Sequence, residues 1–537
     1  MARAEVRALP PDDPDTLNSM ADSCLGRGEI EPALRYYRRV AEIRPQSAKA
    51  HTNVGRAEEQ VGDQAAAVLC YRRALELQPG SPAAYGRLAT LLRQRGEFTE
   101  ALKLCQRAVA LDPARHESYN DLALVLSDMK NLIGATEAFR RSLALKPDFA
   151  PTYVSLGHFF FKNGDMQGAA DSFCHALKLD SGNLLIHLPL GMALTELGDR
   201  AGARACYERA RAAAPTCSEA IFYVGLMDLA EGNFAQGWEG YEQRRTGRRL
   251  RKAFPQPQWR GEPLEGARIF LYAEQGIGDT LQFVRYVPLV AAREGEVVLA
   301  VQKRLHRLLA GTEGACQVIT DGDAQPDFQA HCRLLSLPWA LGTELQTIPA
   351  KIPYVHADPA QVELWRQRLA RDSLRIGLAW AGGAQNPHDV RRSIALEQLA
   401  PLTRLEGMTF YSLQMGAPAG QLRQLGSRVR LIDLQDEQAD FADTAAIVDH
   451  LDLVISVDTS VAHLAGAMGK PVWVLLHHAP DWRWMLERED SPWCPTARLF
   501  RQRGPGNWPE VVVRVERELR ALAAGGPRAA GNACPQR

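Results

Sequence analysis

At 537 residues the chain is three to four times the roughly 150 residues of a typical domain, which excludes a single compact core. Its 63 lysines and arginines balance 63 aspartates and glutamates, so no general field draws it to nucleic acid or an anionic membrane, and any phosphate binding has to be local. With 46% hydrophobic and 23% charged residues it reads as globular rather than disordered or fibrous. The tryptophans divide it: all ten lie between Trp238 and Trp508. The opening MARAEVRALPPDDPDTLNSM lacks the apolar stretch of a leader, and nowhere do about 18 apolar residues run together, which predicts a cytoplasmic chain with no membrane span. The ten cysteines form no CxxC pair, which excludes zinc-ribbon spacing and leaves buried thiols as the expectation.

The first predicted elements are a repeat. Pro45, Pro79, Pro113, Pro147 and Pro215 follow a 34-residue step, with one double step that skips Ser181. Twelve residues before each register position stand Ala33, Ala67, Ala101, Ala135, Ala169 and Ala203. Four residues after these alanines come Tyr37, Tyr71, Phe139, Phe173 and Tyr207, with Cys105 as the exception. Small residues recur as Gly55, Ala89, Ala123, Gly157, Gly191 and Gly225. The period is that of the tetratricopeptide repeat, in which a small residue lets two helices approach and an aromatic fills the gap. Six hairpins are expected from Pro14, Ala48, Pro82, His116, Ala150 and Leu184, then a degenerate seventh from Ser218 with Gly237 in place of the alanine. Stacked hairpins make a groove suited to a protein or peptide, and arrays also associate through their ends, so homo-oligomers are a second expectation. The O-linked N-acetylglucosamine transferases join such repeats to a catalytic half and carry an asparagine ladder. Here that position reads Ser19, Asn53, Arg87, Asp121, Ser155 and Pro189, so the ladder is absent.

A basic run follows at residues 244–252, then Pro255, Pro257 and Trp259. It reads either as a local nucleic-acid patch or as a solvated linker or helix end, and the neutral total favours the latter. The period then changes. Strands are expected at RIFLYA, EVVLAVQ, CQVIT and FQAHCRLLSLP, the last leading into a loop, with helices at TLQFVRYVPLVAAR and KRLHRLLA. The alternation restarts with strands at RIGLAWAG, TFYSLQ, VRLIDL, LVISV and VWVLLH, separated by helices at LEQLAPLTRL, QLRQL, FADTAAIVDHL and SVAHLAGAMG. Two doubly wound, Rossmann-like parallel sheets in series are the predicted architecture, with ligand at the carboxyl ends of the strands.

Three segments can carry chemistry there. Gly276 and Gly278 let the backbone approach a ligand, and Asp279 faces the cleft either as a base for a hydroxyl or as a helix cap. Asp458, Thr459 and Ser460 open a helix whose amides suit a diphosphate, with His463 one turn in; caps and a packed histidine are the alternatives. Arg391 and Arg392 either neutralise the same diphosphate or lie in a solvated loop. Gln414 reads either as a nucleobase contact or as a solvated strand-end amide, and Trp482 and Trp484 as cleft wall or as packing. Asp321-Gly322-Asp323 has the form of a cation-binding DxD, but its polar surroundings favour a turn.

EQGIGDTLQFVRYVPL, DFADTAAIVDHLDLVISVDTSVAHLAGAMGKPVWVLL and DWRWMLEREDSPWCPTARLFRQ resemble bacterial tetratricopeptide glycosyltransferases, whose catalytic half is similar to the lipopolysaccharide heptosyltransferases. The resemblance spans residues 260 to 520 and, with the repeats, nearly the whole chain. It implies the two-domain GT-B fold, Asp279 as general base, and a nucleotide diphosphate held by Asp458, Thr459, Ser460 and His463. Inverting transfer from a nucleotide-sugar substrate then needs no metal or other cofactor, because the helix start and arginines stabilise the leaving diphosphate. Ser460 stands where the heptosyltransferases have glycine, and arginines stand for their lysine, so heptose is not carried over as the donor. The expected domains are a tail (1–13), repeats (14–243), a basic, proline-containing linker (244–264), an acceptor-side lobe (265–355), a connection (356–372), a donor-side lobe (373–522) and a second tail (523–537). The other functional class is a non-catalytic scaffold that keeps the repeats and has lost turnover.

Overall fold

The computed structural model describes residues 13–244, 254–369, 373–383 and 389–525. Residues 1–12 of the expected first tail, 245–252 of the basic run, 370–372 of the connection, 384–388 before the paired arginines and 526–537 of the second tail lie outside the described residues. The chain divides into two compact units, Met1–Ala193 and Leu194–Arg537, and the division falls inside the helix His187–Leu197.

In the first unit the hairpins open at Pro14, Ala48, Pro82, His116 and Ala150, where the period places them. The sixth begins with a 3-10 turn, Leu184–Ile186. Ser47 and Ser81 cap their helices by accepting from the Ala50 and Ala84 amides. Ala33, Ala67, Ala101, Ala135 and Ala169 are fully buried. The small residues give the close approach that the period predicts, since a Cβ on Gly157 would stand 2.6 Å from the Phe173 ring, and one on Gly55 3.1 Å from Tyr71. Cys105, buried, fills the aromatic place of the third repeat. The left-handed residue that ends each first helix is Gly62 or Gly164 in its repeat, but Lys130, at φ 62°, in the fourth. The buried-thiol expectation fails at Cys174 and Cys316, which are exposed.

The second unit begins earlier than the repeat period ends. Of its helices Arg200–Ala213, Ser218–Glu231 and Phe234–Tyr241, the last two put Leu229, Phe234, Trp238 and Tyr241 into the same hydrophobic core as the first sheet. Trp238 and Tyr241 enter the core beside Phe283, Trp482 and Trp493, and the Trp238 indole donates to the Thr343 carbonyl at 2.9 Å. Arg244, the first residue of the basic run, is not solvated. It is a buried cation whose guanidinium donates to Glu242 at 2.6 Å and to Glu274 and Ser336 at 2.7 Å. The proline segment is likewise built in: Trp259 is buried, and its amide donates to the His331 carbonyl at 2.8 Å.

The first sheet is parallel, with β1 Arg268–Tyr272, β2 Glu296–Val301, β3 Ala315–Thr320 and β4 Ala330–Arg333 in the order β3-β2-β1-β4. The second holds β5 Leu374–Ala379, β6 Met408–Ser412, β7 Ile432–Asp433, β8 Leu453–Val457, β9 Val472–Leu476 and β10 Ala497–Arg501, in the order β10-β9-β8-β5-β6-β7, again parallel. Counted from β5 this is the 3-2-1-4-5-6 order of doubly wound sheets. Some expected elements are cut short. The helix read through TLQFVRYVPLVAAR breaks into Ile277–Phe283, a 3-10 turn and Val287–Ala291, because Pro288 has no amide to continue the ladder. VRLIDL gives only the two residues of β7. The strand β10 and the helix Trp508–Ala523 were not among the expected elements.

Candidate functional site

In each sheet the strand order reverses beside the first strand, between β1 and β4 and between β5 and β8, and a crevice opens at such a switch point. The two crevices form one cleft of about 860 Å³. Its walls are Gln275 to Asp279 and Arg304, on the helix Lys303–Leu309, from the first sheet's side, and Ala381 to Gly383, Leu413 to Met415 and Asp458 to Val461 from the second's. The sheets are tied together beside it by Arg307, which donates to Asp440 at 2.8 Å and Asp443 at 2.5 Å. Arg304 lies over the Phe441 ring, 5.4 Å from its centroid.

The glycine-aspartate loop leaves β1 and enters a helix at Ile277, with Gly276 as its N-cap and Asp279 as its third residue. A Cβ on Gly278 would stand 2.8 Å from the His463 ring, so glycine is what lets the loop meet the second sheet's helix. Asp279 is both cap and cleft residue. Its Oδ2 accepts from the Gly276 amide at 2.9 Å, and its Oδ1 accepts from Arg483 at 2.6 Å. A carboxylate has about four lone-pair sites, so Asp279, with a fifth of its side chain exposed, can still accept a hydroxyl. Arg483 also donates to Asp481 Oδ1 at 2.8 Å. Burial works against its charge, but Asp481 and Asp279 outweigh that and hold its pKa well above the usual arginine value.

Opposite stands the start of the helix Ser460–Ala467, whose first amides have no acceptor inside the helix. Thr459 is the N-cap residue, yet its hydroxyl shares a hydrogen bond with Ser456 at 2.9 Å and so serves the turn. Asp458 sits 3.7 Å from His463 Nε2. Burial raises the Asp458 pKa, but the hydrogen bond and charge of His463, then Arg392, prevail and hold it below the usual carboxylate value. The His463 ring stacks on Trp484 at 5.4 Å.

The structure therefore brings Gly276, Gly278, Asp279, Arg392, Gln414, Asp458, Thr459, Ser460 and His463 to one cleft. Arg391 is not among its lining residues; its guanidinium pairs with Glu196 on the helix His187–Leu197. Gln414 lines the cleft but is neither solvated nor available. Its Oε1 accepts from the Trp380 and Ala381 amides at 2.9 and 2.8 Å, and its Nε2 donates to the Ala381 and Met415 carbonyls. Trp482 is core, and Trp484 backs His463 from behind. Asp323 caps its own turn, accepting from the Thr320 amide at 2.7 Å. Among the described residues no helix is long and apolar enough to cross a membrane.

Sequence reasoning missed Arg304, Asp481 and above all Arg483. The available signal was an arginine between two tryptophans in PDWRW, with an acid two residues before it.

Tetratricopeptide-repeat family models match residues 18–82, 55–116, 117–146, 150–183 and 188–237. The first part of the chain is a tetratricopeptide-repeat solenoid. Such repeats indicate a protein-interaction scaffold. The chain is 29% identical over 327 residues to protein FlbA of Caulobacter vibrioides, a match that covers 55% of this chain and 54% of that protein. The chain thus spans about half the length of the relative it matches. Among solved structures, the Cut9–Hcn1 assembly of the APC/C is 22% identical with a TM-score of 0.36, covering 40% of this chain and 43% of that one. MamA of Desulfovibrio magneticus is 25% identical with a TM-score of 0.28, covering 33% and 99%.

Proposed function

We propose that the protein is a glycosyltransferase of the GT-B type that moves a sugar from a nucleotide-sugar to a protein or peptide held by the repeats. The supporting observation is convergence: two loops nearly 200 residues apart in the chain, one with a glycine-aspartate turn and one with a free helix start, face each other across one cleft at the switch points of two sheets. Asp279 takes the proton of the acceptor hydroxyl as that oxygen attacks the anomeric carbon. The bond from that carbon to the diphosphate breaks on the opposite side, which inverts the configuration, and the nucleoside diphosphate leaves with the electron pair. The amides of Ser460 and Val461, His463 and Arg392 meet the charge that builds on it.

The scaffold reading also has an observation in its favour, since Gly276 and Arg483 give Asp279 a structural occupation. Calorimetric titration with UDP, GDP, CDP, TDP and ADP separates the two. The transferase reading expects one of them to bind, and Arg392→Ala to weaken that binding by about tenfold, the worth of one charge-assisted contact. Silence from the whole panel leaves the scaffold.

A further inference from the structure

Arg483 comes from neither of the two loops that define the cleft. It follows β9 in a 3-10 turn, and its guanidinium is buried between Trp482 and Phe283, whose ring centroids lie 4.5 and 5.6 Å from Cζ. One fork reaches back to the first sheet's Asp279 at 2.6 Å; the other holds its own sheet's Asp481 at 2.8 Å. The terminal torsion of an aspartate is broad and soft. The Gly276 amide fixes one carboxylate oxygen of Asp279, and a second anchor on the other oxygen fixes the plane of the group. A planar guanidinium can serve two carboxylates at set angles, which the point charge of a lysine cannot.

We propose that Arg483 is a positioning residue for Asp279, turning the open lone pairs of the carboxylate toward the acceptor hydroxyl, and doing so only while the loops of the two sheets are together. The inference rests on the transferase reading. It makes the orientation of the base a property of the assembled cleft, because its second anchor belongs to the other sheet. Asp481, two-fifths exposed, steadies the guanidinium from the cleft side.

The test uses the full chain, the nucleotide that binds in calorimetry, and the matching nucleotide-sugar, with the nucleoside diphosphate released as the sugar passes to acceptor or water as the readout. Arg483→Met keeps the packed stem and removes both forks. Its kcat should fall about 100-fold, the usual cost of misplacing a reacting group by about an ångström, while nucleotide affinity and KM stay within about threefold. Arg483→Lys should recover about a tenth of the wild-type rate, since charge returns without the fork. The decisive measurement is the cycle with Asp279→Asn: once the carboxylate is gone, Arg483→Met should cost nothing further. A loss that persists undiminished on the Asp279→Asn background, or that falls on KM, overturns the proposal and makes Arg483 a packing residue. Should Arg483→Met fail to fold, the same cycle with Arg483→Lys decides. Absence of any nucleotide binding by the wild type would instead remove the transferase reading beneath it, an outcome distinct from a bound, turning-over enzyme indifferent to Arg483.

Discussion

Gly157 in the solenoid and Gly278 in the sheet unit are each glycine for one reason: a ring from another helix occupies the space of a side chain, Phe173 in the first case and His463 in the second. The first contact joins residues 16 apart and belongs to a series with a 34-residue period. The second joins residues 185 apart and occurs once. Regularity makes packing readable, because each repeat restates the same solution, whereas a site is a single coincidence of distant segments and has no period to betray it.

That contrast predicts where substitutions act globally and where they act locally. The largest effect is expected at Asp279→Asn, which should lower transfer about 1,000-fold, in the usual range for loss of a general base, with nucleotide affinity nearly intact in calorimetry. Equal loss of both would make the acid structural and erase the distinction between the units. Next comes Trp238→Ala. Despite its place in a repeat it should behave as a core substitution of the sheet unit, costing about 3–5 kcal/mol in denaturant unfolding, because the ring and its bond to Thr343 are both lost. A cost below about 1 kcal/mol would return the seventh hairpin to the solenoid.

Asp121 gives a smaller effect inside the solenoid. Burial, opposed by Arg115, raises its pKa from 3.8 to about 6. Between these values the folded form binds more protons than the unfolded form, so stability present below pH 4 is lost as the pH rises through 6. Asp121→Asn should flatten that slope and, above pH 7, stabilise the first unit by roughly 2 kcal/mol, read from melts across the pH range. An unchanged slope would place the carboxylate in water. The smallest effect is Lys130→Gly, which relieves a left-handed backbone and should add about 1 kcal/mol, read as slower amide exchange around that loop alone. Protection spreading to every hairpin would show the array to be less one-dimensional than its period implies.

Much of the fold was legible for these reasons. The hairpin starts follow from spacing, and most strands from short apolar runs bounded by turns. VRLIDL misled because an edge position needs few paired residues, and Pro288 broke a helix whose apolar spacing continued through it. Of the site, the glycine-aspartate turn and the Asp458 to His463 segment could be read, since each carries its chemistry locally. Arg391 and Arg392 could not be told apart: adjacent residues on the short helix Asp389–Arg392 point about 100° away from one another, and only Arg392 faces the cleft. Gln414 looked available because three of its four partners are backbone groups of the distant Trp380–Ala381 segment, and the fourth is the carbonyl of its neighbour Met415. Arg483 carries no local mark of a site, because the carboxylate it meets, Asp279, lies 204 residues away in the chain.

The aromatic wedge of Trp238 and Tyr241 bears on how such a chain can change over generations. Duplication or deletion of a whole 34-residue hairpin before Ala193 respects the contacts at each junction, since one repeat resembles the next. After Leu194 the same event would remove a tryptophan that Thr343 expects or an arginine that Glu274 expects. Lineages of this protein should therefore differ in the number of leading repeats and agree on the last.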